Sequence, residues 1–182
     1  MNKQNLVFLK KFNAWVRPET LDEYIFKEVR SAYKHLELKP TDNVLDIGAN
    51  VGAFAKLAVD KGARVYCYEP EPENFGLLKL NSPKSMNFNT AVVGDNDPPF
   101  VDLYVASTTN KGIHMLRPVN GRTSIQVQTT PFDTAVKASS ANKIKIDAEG
   151  AEYQFLPYTF SDKVERVVME IHFQYDPTWR QK

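Results

Sequence analysis

The sequence predicts an α/β fold with a mostly parallel sheet, on three observations. The apolar run Asn43-Val44-Leu45-Asp46-Ile47 ends in the turn Gly48-Ala49-Asn50-Val51-Gly52 and leads into small helix-forming residues. A second apolar run, Arg64–Tyr68, ends in the acid Glu69. A third, Lys143-Ile144-Lys145-Ile146, ends in Asp147 and Glu149. A strand, a glycine turn, a helix and a strand ending in an acid open a βαβ unit. Such units bind ligands at the carboxyl ends of their parallel strands.

The elements follow in order. Residues 1–19 are a basic lead-in, where Lys3, Lys10, Lys11 and Arg17 interleave with Phe8, Phe12 and Trp15. They read as an arm or short helix packed on the domain, with a substrate or membrane-surface contact as the alternative. Thr20 and Glu23 form a capping-box pattern opening a helix. Leu21, Ile25, Val29, Ala32, Tyr33 and Leu36 then fall at helical spacing until Pro40. The core continues with a strand at 43–47 and a helix at 53–60 stopped by Gly62. A strand at 64–68 comes next, then a helix at 72–80 with Pro72 near its first turn and a strand at 87–93. Pro98 and Pro99 break the alternation. Segments 101–107 and 123–129 have strand character and suit pairing with each other. Their connection, 108–122, carries Lys111, His114, Arg117 and Arg122 and is long enough to be a candidate for substrate contact. Strands at 143–147 and 166–173 complete the set, the latter ending in Glu170-Ile171-His172.

Composition bounds the class. The 182 residues suit a single domain, with 1–41 an arm and helix and 42–173 the core. A net charge of +1 disfavours broad electrostatic capture of nucleic acid. No apolar run is long enough to span a bilayer, and no secretory leader is evident. Cys67 is the single cysteine and sits within a strand, so no disulfide is expected and a reducing, cytoplasmic setting follows.

The glycine pattern bears on the cofactor. Dinucleotide folds need bare backbone against a pyrophosphate, written G-x-G-x-x-G. Here Ala49 and Asn50 stand between Gly48 and Gly52. That turn suits a nucleoside cofactor with a carboxylate tail, such as S-adenosylmethionine, with Glu69 placed to accept from ribose hydroxyls. At the other strand ends, alternation puts Lys145 and Asp147 on one face, away from Ile144 and Ile146. Central parallel strands are normally apolar on both faces, so these charges call for a reason; a Lys145 salt bridge at an exposed strand end is the structural alternative. The strand ending in His172 should neighbour this one, bringing Asp147, Glu149, Glu170 and His172 into one cleft.

Four segments together carry a resemblance: Leu45-Asp46-Ile47-Gly48-Ala49-Asn50-Val51-Gly52, Glu69-Pro70-x-x-x-Asn74, Ile144-Lys145-Ile146-Asp147-Ala148-Glu149-Gly150-Ala151-Glu152 and Glu170-Ile171-His172. Asn89-Thr90-Ala91-Val92-Val93-Gly94 and Pro131-Phe132-Asp133 add to them. Across residues 42–173 the chain resembles the FkbM-type S-adenosylmethionine-dependent methyltransferases. The glycine turn is generic to class I methyltransferases, whereas K-I-D-x-E-G-x-E followed by E-I-H is specific. The resemblance implies a Rossmann-like, three-layer class I methyltransferase fold. It also implies methyl transfer, usually to a hydroxyl of a sugar or natural product.

By position, Gly48, Ala49, Asn50 and Gly52 would line the methionine end of the cofactor, and Asp46 would position it through the turn. Glu69 and Pro70 would hold the ribose end, with Asn89, Thr90 and Ala91 near the adenine. Asp147 and Glu149 would flank the sulfonium and the acceptor, with Lys145 in the catalytic set. His172 is the first candidate for general base, since its ordinary pKa is near neutrality, with Asp147 and Glu149 as alternatives. A divalent metal on Asp147 and Glu170 is not favoured, and no metal ligands are assigned.

Ala148 stands where the family more often has valine. Only residues 173–182 follow His172, where the class continues with a helix and an antiparallel strand pair. A truncated C-terminal part is therefore expected: either the open sheet edge is covered by the N-terminal arm or a partner chain, a homo-oligomer included, or the protein is a fragment. The expected partner is a small-molecule or carbohydrate acceptor. A macromolecular methyltransferase and a non-catalytic partner subunit are the alternatives, and a nicotinamide dehydrogenase is disfavoured by the missing glycine.

Overall fold

In the computed structural model, residues 5–106 and 110–172 are described. Two short strands, β1 (Val7–Leu9) and β2 (Ala14–Val16), form an antiparallel hairpin. Helix α1 (Asp22–Ala32) follows, then β3 (Asn43–Ile47), α2 (Ala53–Asp60), β4 (Arg64–Tyr68) and α3 (Pro72–Asn81). Strands β5 (Met86–Phe88), β6 (Ala91–Val93), β7 (Phe100–Tyr104) and β8 (Ser124–Pro131) precede α4 (Phe132–Ser139), β9 (Lys143–Ile146) and β10 (Arg166–Met169).

The central sheet runs β10-β9-β3-β4-β5 with every neighbouring pair parallel. In terms of its own five strands this is the order 3-2-1-4-5 of a doubly wound fold, with its topological switch point between β3 and β9. Alternation along the strands divides the core in two. Val44, Val65 and Cys67 face α1, α2 and α3 and pack with Phe26, Phe54 and Leu77. Leu45, Ile47, Ile144 and Ile146 face the other way, onto Phe132, Ala135 and Phe155. The result is the three-layer, Rossmann-like α/β/α arrangement expected. A smaller sheet, β6-β8-β7, lies beyond it.

Several elements end where local signals placed them. Gly52, at φ +83°, precedes α2, and Gly62, at φ +90°, follows it, so both ends of that helix are marked by left-handed glycines. Pro72 opens α3, whose N-cap Glu71 accepts from the Asn74 amide at 2.6 Å. Strands β7 and β8 pair antiparallel as expected. Ser107, the last residue of the strand expected there, lies outside the described residues, as does Phe173.

Four expectations change. The lead-in is a hairpin rather than an arm or short helix. Its Trp15 is held by Asn81, which accepts from the Trp15 amide at 2.7 Å and donates to its carbonyl at 2.9 Å. The capping box does not form. Thr20 Oγ1 donates to the Arg17 carbonyl, and Glu23 pairs with Lys27 at 2.7 Å, so α1 begins at Asp22. That helix ends at Ala32, with Leu36 in a following 3-10 turn that Glu37 closes at φ +49°, before Pro40 is reached. The strand expected at 87–93 is two strands in different sheets. The Asn89 side chain donates to the Glu69 and Pro70 carbonyls, and Thr90 bonds Thr130, which bends the chain from β4 toward β8.

Asn81 also donates to the Val51 carbonyl at 2.8 Å, so one buried carboxamide ties the hairpin to the glycine turn. Asn81→Ala removes all three bonds and is expected to cost about 2–3 kcal/mol. Chemical denaturation should show the lowered midpoint; an unchanged midpoint would refute the tie.

Candidate active site

The turn after β3 is shaped by its neighbours. Gly48 sits at φ +75°, and a Cβ there would overlap the Asp147 carbonyl oxygen. The Gly48 and Ala49 amides both donate to the Tyr68 carbonyl at 3.0 Å, pinning the turn to the end of β4. The Asp147 amide donates to the Ile47 carbonyl at 3.0 Å, so β3 and β9 stay paired up to the switch point.

Beneath the turn lies a buried charge. Asp46 and Lys145 are direct partners in the β3–β9 register and therefore share a face. Lys145 Nζ lies 3.2 Å from Asp46 Oδ1 and 3.8 Å from Asp147 Oδ2, and donates to the Gly48 carbonyl at 2.6 Å. Burial pulls the Lys145 ammonium down, but Asp46, Tyr33 and Asp147 together push it above its ordinary value, so it stays charged. The salt bridge anticipated as an alternative exists, but at a buried position rather than an exposed strand end.

Above the switch point opens a cavity of about 360 Å³. Gly48, Ala49 and Asn50 form its floor, with Glu69 and Pro70 at the end of β4. Glu69 accepts from the Asn50 and Glu71 amides at 2.8 and 2.9 Å, one on each carboxylate oxygen. Burial outweighs those amides and raises its pKa to about 7. Opposite, Ala91, Val92 and Leu103 supply an apolar wall. From the 108–122 connection, Gly112, Ile113 and His114 line the same cavity. Asn74 accepts from Arg17 at 2.7 Å and donates to the Lys111 carbonyl at 2.9 Å, linking this loop to the N-terminal segment. Helix α1 covers the cavity with Tyr24, Ile25, Glu28, Val29 and Ala32, a stripe at helical spacing.

The remaining wall is acidic. Asp147 accepts from the Tyr33 hydroxyl at 3.1 Å. Glu149 lines the cavity in the left-handed region, φ +49°, followed by Gly150 at φ +103°. Such strain in a non-glycine residue concentrates at functional sites. Burial, with Asp147, Glu152 and Glu170 adding to it, raises Glu149 to about 7 against the opposing pull of His172. Behind it, Glu152 is fully buried and accepts from the Ala148 and Gly150 amides at 2.9 and 2.8 Å. His172 Nδ1 lies 2.9 Å from Glu152, and its Nε2 lies 3.5 Å from Glu149 and 3.8 Å from Glu170. The hydrogen bond to Glu152 outweighs burial and, with Glu149, lifts His172 to about 9.

Of the residues singled out in the sequence, Gly48, Ala49, Asn50, Glu69, Pro70, Ala91, Lys145, Asp147 and Glu149 line one cavity. Asp46 and His172 stand one contact behind the wall. Gly52 packs against Leu78 as the first residue before α2, and Asn89 and Thr90 are engaged in the chain bend instead of facing the cavity. The metal reading also shifts. Among the described residues, Asp147, Glu152 and His172 bring ligand-type atoms within 4.8 Å of one another, and Glu170 is not in that group. Tyr33 and Glu152 were missed as site residues. Glu152 carried a signal, as the last acid of the K-I-D-x-E-G-x-E stretch, while the contact from Tyr33 to Asp147 spans most of the chain.

This strand order, with a glycine turn and an acid at the second strand end, defines a Rossmann-like fold of the methyltransferase type. A sequence model of the methyltransferase FkbM domain matches residues 46–181. The chain belongs to the FkbM methyltransferase family. It is 29% identical over 154 residues to the hexuronic acid methyltransferase AglP of Haloferax volcanii, a match covering 78% of this chain and 61% of the relative. It is 35% identical over 66 residues to the 31-O-demethyl-FK506 methyltransferase FkbM of Streptomyces tacrolimicus, covering 33% of this chain and 25% of the relative. The matched part is thus about three fifths of the first relative and a quarter of the second.

The His172 geometry has a direct readout. A histidine with a raised folded-state pKa stabilises the fold fully below its unfolded value near 6.5 and loses that contribution as pH rises through about 9. NMR titration of the His172 imidazole should give a midpoint near 9, lowered in Glu149→Gln. A midpoint at or below 6.5 would refute the acidic enclosure.

Proposed function

We propose that this chain is an S-adenosylmethionine-dependent O-methyltransferase acting on a hydroxyl of a sugar or small natural product. The observation that carries the reading is the cavity at the switch point, with a side-chain-intolerant glycine turn and Glu69 on one side and Asp147 and Glu149 on the other. Family membership, and two relatives named for methylation of a hexuronic acid and of 31-O-demethyl-FK506, support it. Among the described residues no helix is long and apolar enough to cross a membrane.

The residues present fit the cofactor. Gly48, Ala49 and Asn50 bring the turn to the cavity, and each Glu69 oxygen keeps a lone pair for a ribose hydroxyl after accepting its backbone amide. The apolar wall at Ala91, Val92 and Leu103 suits a planar base. When bound, S-adenosylmethionine would supply an electrophilic methyl group on a positively charged sulfur, with S-adenosylhomocysteine as the leaving group.

The chain's own part is to align, to exclude water and to move one proton. Asp147, oriented by the Tyr33 hydroxyl and Lys145, presents negative charge to a cationic centre. Glu149 is the general base: it lines the cavity and titrates near neutrality, where a base is most effective. This replaces His172, the first candidate on sequence grounds. With a pKa of about 9 that imidazole already carries its proton at pH 7, so its nitrogens are not free to accept another. It serves instead as the cation holding Glu149. Lys145 likewise works through the Gly48 turn.

Calorimetry with S-adenosylmethionine and S-adenosylhomocysteine should show binding that Glu69→Ala weakens at least tenfold, with NAD as the inert control. In methyl-transfer assays, kcat should rise with pH through about 7. Glu149→Gln should abolish that limb and lower kcat by roughly 10²-fold or more. A folded protein that binds neither methyl compound would refute the proposal, and an unaltered pH profile in Glu149→Gln would refute the base assignment.

A further inference from the structure

Resting on that reading, we infer that the acceptor subsite lies at the cavity mouth between α1 and the end of β10, and that it takes an uncharged polyhydroxyl acceptor while rejecting a hexuronate. The carbohydrate class is thereby narrowed by charge.

The first observation is what forms the mouth. The cofactor half of the cavity, Gly48 to Pro70, comes from the part of the chain that the family model matches. The opposite rim comes from α1, which precedes that match. Tyr24 and Leu21 are the exposed apolar side chains of this rim, at 55% and 45%. The Tyr24 hydroxyl donates to Glu28 Oε1 at 3.3 Å. An exposed aromatic ring beside an oriented carboxylate offers a face for the C–H side of a sugar and an acceptor for its hydroxyls.

The second observation is charge. The carboxylates lining the cavity are Glu28, Glu69, Asp147, Glu149 and Glu170. Lys145 is the one ammonium among the described lining residues, and it is committed to Asp46 and the Gly48 carbonyl. His114 also lines the cavity, but burial, with nearby Lys111, Arg17 and Arg122, lowers it to about 4, so it is neutral. His172 stands behind the wall against Glu149, Glu152 and Glu170 and offsets part of their charge. Glu28 on α1 is near enough to Glu170 to help raise its pKa, after burial and Asp147, so the two acids share the mouth from opposite sides. A further carboxylate brought here meets like charge on both sides and no available cation on the lining. Carboxylate acceptors suit sugar hydroxyls, which donate, and disfavour the carboxylate group of a uronate, which only accepts. Like-charge juxtaposition is a standard means of rejecting a wrong partner.

The similarity to AglP, a hexuronic acid methyltransferase, makes this a sharp distinction. Of the relevant side chains, Tyr24 and Glu28 lie outside the family match and Glu170 inside it.

The test is binding of two matched probes, methyl glucopyranoside and methyl glucuronopyranoside, to the chain saturated with S-adenosylhomocysteine, followed by NMR. The glucopyranoside is expected to bind at least about tenfold more tightly, a difference of about 1.4 kcal/mol. Glu28→Lys and Glu170→Lys should each narrow or invert that ratio, and Tyr24→Ala should weaken both probes. Glu23→Lys, on α1 but off the cavity, should change nothing. Equal or tighter binding of the glucuronopyranoside would overturn the inference, as would a ratio indifferent to both lysine variants. Failure of both sugars on cofactor-loaded protein would overturn it while leaving the methyl-donor reading intact. Absence of S-adenosylhomocysteine binding would instead overturn that earlier reading, and this inference with it.

Discussion

The architecture of the site depends on one buried ammonium. Lys145 enters the sheet on the face that α1 and α2 cover, where a central parallel strand would ordinarily be apolar. It is accommodated because register sets Asp46 beside it, and because the Gly48 carbonyl turns inward to accept from it. Its effect is geometric. A glycine turn with positive φ, tied on one side to β4 through the Tyr68 carbonyl, is tied on the other to β9 through this charge. Buried ion pairs contribute little net stability, since desolvation offsets their attraction, yet losing one partner leaves a charge stranded at about 3–5 kcal/mol. The pair is better understood as holding the switch point in one shape than as a source of stability.

A second polar assembly mirrors it across the cavity. Glu152 sits at the centre, accepting from the Ala148 and Gly150 amides and from His172. It thereby maintains the left-handed backbone that presents Glu149. Two acids thus come to differ in role through their surroundings. Asp147 is aligned by Tyr33 and Lys145, while Glu149 is desolvated beside other carboxylates and is drawn toward neutrality. The histidine that invites a catalytic role in the sequence is surrounded by carboxylates, which favour its protonated form.

What the sequence made legible was local. The helix Ala53–Asp60 and the strands Asn43–Ile47 and Arg64–Tyr68 have the predicted ends, because glycines and acids punctuate them. The pairing of the last two central strands followed from the parallel alternation. Features decided by distant partners were not legible. The strand predicted across residues 87–93 divides because Asn89 is drawn to Glu69 and Pro70 while Thr90 is drawn to Thr130. Thr20 and Glu23 match a capping pattern, but Arg17 and Lys27 compete for them. At the site, the glycine turn, Glu69, Asp147 and Glu149 were readable as types at strand ends. The protonation of His172 was not, because a histidine's ordinary pKa says nothing of three glutamates folded around it.

The claim that a buried ion pair shapes the crevice proposed to hold the cofactor has a direct test in the double variant Asp46→Leu/Lys145→Met, which removes both charges together and avoids stranding either. The fold should persist with a cooperative unfolding transition, since apolar replacement of a buried pair is commonly near neutral. Calorimetry should then show S-adenosylhomocysteine binding lost or weakened at least about tenfold, a difference of about 1.4 kcal/mol. A folded double variant that binds S-adenosylhomocysteine as tightly as the unaltered chain would contradict the account.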